Sequence, residues 1–214
     1  MAWAQFEAFL PEVLPYVREC PEIAAINAIR NTCIEFCEQS QFLRYQHDPI
    51  TIAIGQAEYD LEVPAGYGVC AIIACNLGYR PLVPKAEEEL VRIAGPSWRT
   101  EPGSLSYIVQ DTYDTVRVVA VPDQLQDDPL TLTLAIRPLR SAVKIDAVIL
   151  ERWSEVIGYG TRARLHDTPG QPYSDMEAAK RFRKWFQSGY GRAKIEANRG
   201  LGRGPIVALP NRLV

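Results

Sequence analysis

The hydrophobic positions change period along this chain, and the changes divide it. Between Trp3 and Val17, residues Phe6, Phe9, Leu10, Val13 and Val17 fall at helical spacing, with Pro11 and Pro15 inside the run. Proline removes a backbone donor and clashes with the preceding turn, so two short pieces or a kinked helix are expected. Pro21 suits the first turn of a long helix. There Ile26, Ile29, Cys33, Phe36, Ser40 and Leu43 recur at 3-4-3-4-3 spacing, one stripe for packing against other helices, and Asp48-Pro49 ends it.

From Ile50 the period drops to about two, the signature of strands. ITIAIGQAEYDLEVP reads as a strand, a glycine turn and a second strand, and VCAIIAC as a short buried strand. Lys85 to Ala94 predicts a short surface helix with three consecutive acids. LSYIVQ, TVRVVAVP and LTLTLAIRPL follow, each bounded by Gly, Pro or Asp turns; Leu130, Leu132, Leu134 and Ile136 share one face. After Pro138 helical spacing returns in Ile149, Trp153, Val156, Gly160 and Ala163, whose small later members permit close helix approach. A loop, Asp167 to Pro172, precedes Ser174-Asp-Met-Glu177, which reads as a capping box opening a last helix. That helix turns Met176, Ala179, Phe182, Phe186, Gly189 and Ala193 inward and most of its cations outward.

Short helical pieces at one end of a chain cannot bury their stripes alone and need partners from the other end. The expected fold is therefore α+β: a helical bundle built from both chain ends, residues 1–48 and 140–197, with a small antiparallel β domain, residues 49–139, inserted. An extended C-terminal arm, residues 198–214, completes it.

Charge changes this picture most. From Asp175 onward nine Lys/Arg stand against three acids, a local +6 in a chain of net −3, so residues 1–174 carry −9. Such separation does not choose a fold, but it creates a surface that seeks an opposite one. The chain ends in NRGLGRGPIVALPNRLV, too rich in Gly and Pro to fold alone. Its glycines supply bendable backbone, its Ile, Leu and Val supply apolar anchors, and Arg199, Arg203 and Arg212 supply charge. A basic helix leading into such an arm predicts docking.

Other chemistry is sparse. No apolar run approaches the roughly 20 residues of a membrane helix, and the N-terminus lacks a basic region, so no secretory signal is expected. Five cysteines without a disulfide rhythm point to free, mostly buried thiols. Cys33 and Cys37 are four apart on one helix, yet no second ligand pair follows at metal spacing. His47 and His166 read as solvated loop residues without a partnered nucleophile. Gly200 to Gly204 lacks the strand and helix that a phosphate loop requires. Neither catalysis nor a cofactor is expected. A nucleic-acid-binding module is the alternative, since Phe182, Trp185, Phe186 and Tyr190 interleave with cations along residues 175–196.

Several segments, in order, resemble the head-to-tail adaptor (head-completion or connector) proteins of tailed bacteriophages. They are CPEIAAINAIRNTCIEFCEQS (20–40), GQAEYDLEVPAG (55–66), VRVVAVPD (116–123), LTLTLAIRPLR (130–140) and the stretch from Glu151 to Arg199. Within them stand Glu35-Phe36-Cys37-Glu38, Gly55-Gln56-Ala57-Glu58-Tyr59, Ile157-Gly158-Tyr159-Gly160 and Pro169-Gly170-Gln171-Pro172. The resemblance implies a structural virion protein, made in the host cytoplasm, that assembles as a twelve-membered ring beneath the portal protein. Such a ring prolongs the DNA channel and gives a tail protein (nozzle or tail tube) its platform. It implies portal docking by the C-terminal helix and arm, and the expected docking residues are Arg192, Lys194, Arg199, Arg203, Ile206, Val207, Leu209, Arg212, Leu213 and Val214.

Overall fold

The computed structural model describes residues 2–200. The chain opens with β1 (Trp3–Gln5) and two 3-10 turns, Phe6–Glu12 and Leu14–Tyr16, followed by α1 (Glu22–Ser40). The strands β2 (Arg44–Gln46), β3 (Glu58–Asp60), β4 (Tyr67–Leu77) and β5 (Arg80–Pro84) come next, and then α2 (Glu87–Ala94). β6 (Pro102–Gly103), β7 (Tyr107–Val109), β8 (Thr115–Val119), β9 (Val121–Pro122), β10 (Leu130–Pro138) and β11 (Lys144–Asp146) complete the strands. Two long helices close the described chain, α3 (Ala147–His166) and α4 (Met176–Arg199). The protein is mixed α+β.

The proline-interrupted opening segment takes the tighter helix. Phe6, Phe9, Val13 and Val17 are buried as their spacing predicts, and β1 ties the start of the chain to β11 through antiparallel pairing of Trp3 with Asp146. The next helix is shorter than expected. It stops at Ser40 because Gln41 adopts a left-handed conformation, φ 52°, and donates its N–H to the Cys37 carbonyl. Ser40 reinforces the stop by donating its hydroxyl to Phe36 O and accepting from Phe42 N. Leu43 is buried, but beyond the helix, and the chain then runs into β2 rather than continuing to Asp48.

One curled sheet of seven strands, ordered β2-β10-β4-β5-β7-β8-β3, carries the middle of the chain. Its spine is the antiparallel pair β10–β4, which runs from Leu130↔Leu77 to Pro138↔Tyr67 and is broken by two register shifts. Such bulges bend a strand and raise its twist. Leu130, Leu132, Leu134 and Ile136 are all buried, as their alternation requires. The expectation of wholly antiparallel pairing is corrected at two places: β5 pairs parallel to β7, and β6 parallel to β9. Parallel neighbours need a crossover connection; α2 and the loop after it provide it between β5 and β7, and β7 with β8 provides it between β6 and β9. ITIAI does not form the strand expected of it; Ile50 makes an isolated bridge to Leu130, and Ile52 is buried from irregular backbone.

A continuous apolar core runs from Phe6, Phe9, Ile29 and Phe36 through Leu132 and Leu134 to Ile108 and Val116. α1 lies against α3, α4 and β10, and α3 against α4. A smaller cluster, Leu90, Trp98, Val109 and Val119, seats α2.

Candidate docking surface

α4 begins at Asp175, whose carboxylate accepts from the backbone N–H of Glu177 and of Ala178, both at 3.0 Å. The expected capping box is thus shifted by one residue. Ser174 instead ends the preceding loop, with its N–H on Gln171 O. The inner face packs closely. Ala179, Phe186, Gly189 and Ala193 are buried as expected, whereas Met176 is exposed and Phe182 half-buried. A Cβ at Gly189 would stand 2.7 Å from Val156 Cγ2, and one at Gly160 would stand 2.8 Å from Phe186 Cδ2. Both glycines are needed where α3 and α4 approach.

A flank of α4, about 100° round from the inner face at 3.6 residues per turn, has its own seam. Arg181, Trp185, Ser188, Arg192, Ile195 and Arg199 follow each other at 4-3-4-3-4 spacing, and all six are exposed. Trp185 is 45% exposed and Ile195 53%. Trp185 rests edge-on against Phe182 (centroids 5.5 Å) and Tyr159 (5.2 Å), so one edge is anchored and the rest faces out. Exposed apolar side chains alternating with arginines combine area with charge, the composition of interface cores. Lys194 is exposed beside this seam, and Arg192, Lys194 and Arg199 make no ion pair among the described residues. The remaining expected docking residues, Arg203, Ile206, Val207, Leu209, Arg212, Leu213 and Val214, lie outside the described residues.

The nucleic-acid reading of this helix loses much of its stacking surface. Phe186 is buried, Phe182 and Tyr190 are half-buried, and Phe186 packs edge-on against Tyr190 (5.3 Å). Two of its cations are engaged, Lys180 with Glu177 (2.9 Å) and Arg183 with Glu35 (3.1 Å).

Both histidines sit where the sequence did not place them. His47 is only 7% exposed; its Nδ1 stands 2.6 Å from Asp48 O, and its Nε2 accepts the Glu62 N–H at 2.9 Å. His166, 8% exposed, closes α3, stacks on Phe182 and places Nδ1 2.8 Å from Tyr173 O. Backbone partners and an aromatic face hold them, so both act as structural ties. The five cysteines are free. Burial pushes the Cys33 and Cys37 thiols well up, and Cys70 and Cys75 up to about 12. Thiols so far above neutrality lack the thiolate that nucleophiles and metal ligands need. Among the described residues no group of three or more His, Cys, Asp and Glu is placed to hold a metal, and no helix is long and apolar enough to cross a membrane.

Sequence reasoning missed one buried cation. Arg162, 4% exposed, has its guanidinium 3.6 Å from the Tyr16 ring centroid and donates through Nε to Glu12 O at 2.7 Å. Burial pushes its pKa down, opposed by the neighbouring Tyr16 and Glu12. It pins the opening 3-10 segment to α3. Gly158 supports the same junction, since a Cβ there would stand 3.0 Å from Glu12 Cβ. α3 also carries Glu151, Arg152, Glu155 and Arg164, so nothing in the sequence set Arg162 apart from the helix's other charges.

Compared with known proteins, the chain matches no family model and no curated protein.

Proposed function

We propose that this chain is a structural subunit of a tailed-bacteriophage head-to-tail adaptor, a ring beneath the portal that prolongs the DNA channel and carries the tail. In this reading α1, α3 and α4 form the bundle drawn from both chain ends, the sheet is the inserted β domain, and the C-terminal segment is the docking arm. The observation that carries it is the outer seam of α4. A 24-residue helix presents arginines alternating with an exposed tryptophan and an exposed isoleucine, and it leads directly into an apolar, Gly-rich, basic terminus. A segment that orders on a partner binds weakly per contact but covers a large surface. Repetition around a ring raises the effective concentration of each further copy, which makes weak contacts durable.

The test is negative-stain imaging of the protein with the portal protein of the same virus, beside each alone. An added ring at one end of the portal, absent when residues 198–214 are deleted from a chain that still folds, is the expected result. Portal binding that survives the deletion overturns the role of the arm. Failure to associate at low or moderate salt overturns the adaptor reading. In that case steeply salt-dependent nucleic-acid binding by the lone chain would favour the alternative.

A further inference from the structure

A cleft of about 380 Å³ opens between α1, the end of β10 and α3, lined by Asn31, Ile34, Glu35, Glu38, Arg137, Arg140 and Arg164. Its size falls within the range of small-molecule sites. Glu35 and Glu38 lie in the last two turns of α1, where the helix dipole disfavours acids, and arginines compensate both. Glu35 accepts from Arg164 and, at 3.1 and 3.2 Å, from Arg183; Glu38 pairs with Arg137 at 3.0 Å. With the two carboxylates occupied, the cleft is poor for a cation. The lining itself carries three arginines against two carboxylates, and Arg183, which reaches Glu35 from outside the lining, makes the surplus of the whole cluster two positive charges. Arg140 is exposed and has no hydrogen-bond or ion-pair partner among the described residues, and Arg164 keeps a buried Nε without an acceptor.

We propose that this cleft binds a phosphate dianion, either inorganic phosphate or the phosphate of a small monoester. The surplus of two charges matches a dianion, and a tetrahedral oxyanion can accept from several guanidinium forks at once. A planar monocarboxylate would leave one charge uncompensated. The site is a property of the single chain and stands independently of the adaptor reading.

The test is titration of the full chain with inorganic phosphate against chloride at matched ionic strength. Two readouts follow binding: the side-chain Nε–H signals of Arg140 and Arg164 by nitrogen-15 NMR, and thermal unfolding. Saturable shifts of both signals are expected with phosphate, and none with chloride. Arg140→Ala, at an exposed position, should unfold as wild type in phosphate-free buffer yet bind phosphate about tenfold more weakly or worse, the loss of one charge-assisted hydrogen bond. Arg140→Lys should retain part of the affinity. A response that does not saturate, or equal affinity in Arg140→Ala, overturns the site. Acetate binding as tightly as phosphate overturns the dianion. A glycerol phosphate arm separates the sources: binding no weaker than that of inorganic phosphate assigns the monoester, and its failure to bind assigns the free ion.

Discussion

α3 and α4 are neighbours of similar length with opposite commitments. α3 exposes Glu151, Arg152 and Glu155 but from Val156 to His166 is buried or half-buried all round, because α1, the opening segment and α4 all lie against it. α4 buries only Ala178, Ala179, Phe186, Gly189 and Ala193. One helix is internal spine; the other spends one face on the fold and leaves the other free. A helix is held in most proteins by its apolar face rather than by intrinsic propensity, so the outer seam of α4 can vary without loss of fold. The two faces should therefore separate stability from binding.

The strongest way to break that comparison is at the inner face. Phe186 is fully buried between α3 and α1, and Phe186→Ala should cost about 3–5 kcal/mol in urea unfolding. A cost under about 1 kcal/mol would mean that α4 is not seated as described. Gly189→Ala comes next. Its new methyl would crowd Val156, and overpacking of this kind costs about 1–3 kcal/mol. Val156→Ala in the same chain should recover part of the loss, and a double-mutant cycle measures the coupling. Additive costs would place the clash elsewhere.

The outer seam should behave the other way. Arg192→Glu with Ile195→Asp should change unfolding free energy by no more than about 0.5 kcal/mol per site, as expected of surface positions. In the adaptor reading the same pair should weaken portal binding by at least about tenfold, through lost burial and reversed charge. Weakening of the fold instead would show that this face is already occupied within the chain. Unchanged portal affinity would remove α4 from the contact.

These faces were unequally legible in the sequence. The inner stripe was read from spacing, because burial against one neighbour imposes a 3.6-residue period. β10 was read the same way from its period of two. What escaped depends on partners far away in the chain. His47 is buried because Glu62 supplies its N–H, and His166 because Tyr173 and Phe182 close over it. The arginine cleft gathers residues from Asn31 to Arg164, and no local pattern brings these together. The end of α1 escaped for a different reason: Gln41 adopts a left-handed conformation that glycine usually marks. The parallel β5–β7 pair was hidden because strand direction is set by the crossover, not by the strand's own residues.

The smallest expected effect lies where the two helices meet their connecting loop, at Asp175. Ser174 and Asp175 are both capable caps, and the outcome turned on which side chain reaches the free N–H groups of the first turn. Asp175 also donates its own N–H to His166 O at 3.0 Å, so the start of α4 is fixed to the end of α3. The hydrogen bond from the Ala178 N–H, with that from Glu177, holds the Asp175 carboxyl below the usual carboxylate range. A folded-state pKa lower than the unfolded one stabilises the fold above the unfolded value, about 3.9, and that contribution fades as pH falls through the folded value. Thermal unfolding of Asp175→Asn should therefore differ from wild type near neutrality and converge with it in acid, since asparagine still accepts at the cap but carries no charge. Asp175→Ala, which has no acceptor at all, should remain the less stable of the two variants at every pH. A constant offset between wild type and Asp175→Asn across the acid range would mean that the carboxylate's charge adds nothing at this cap. The hydrogen bonds alone would then hold α4 to α3.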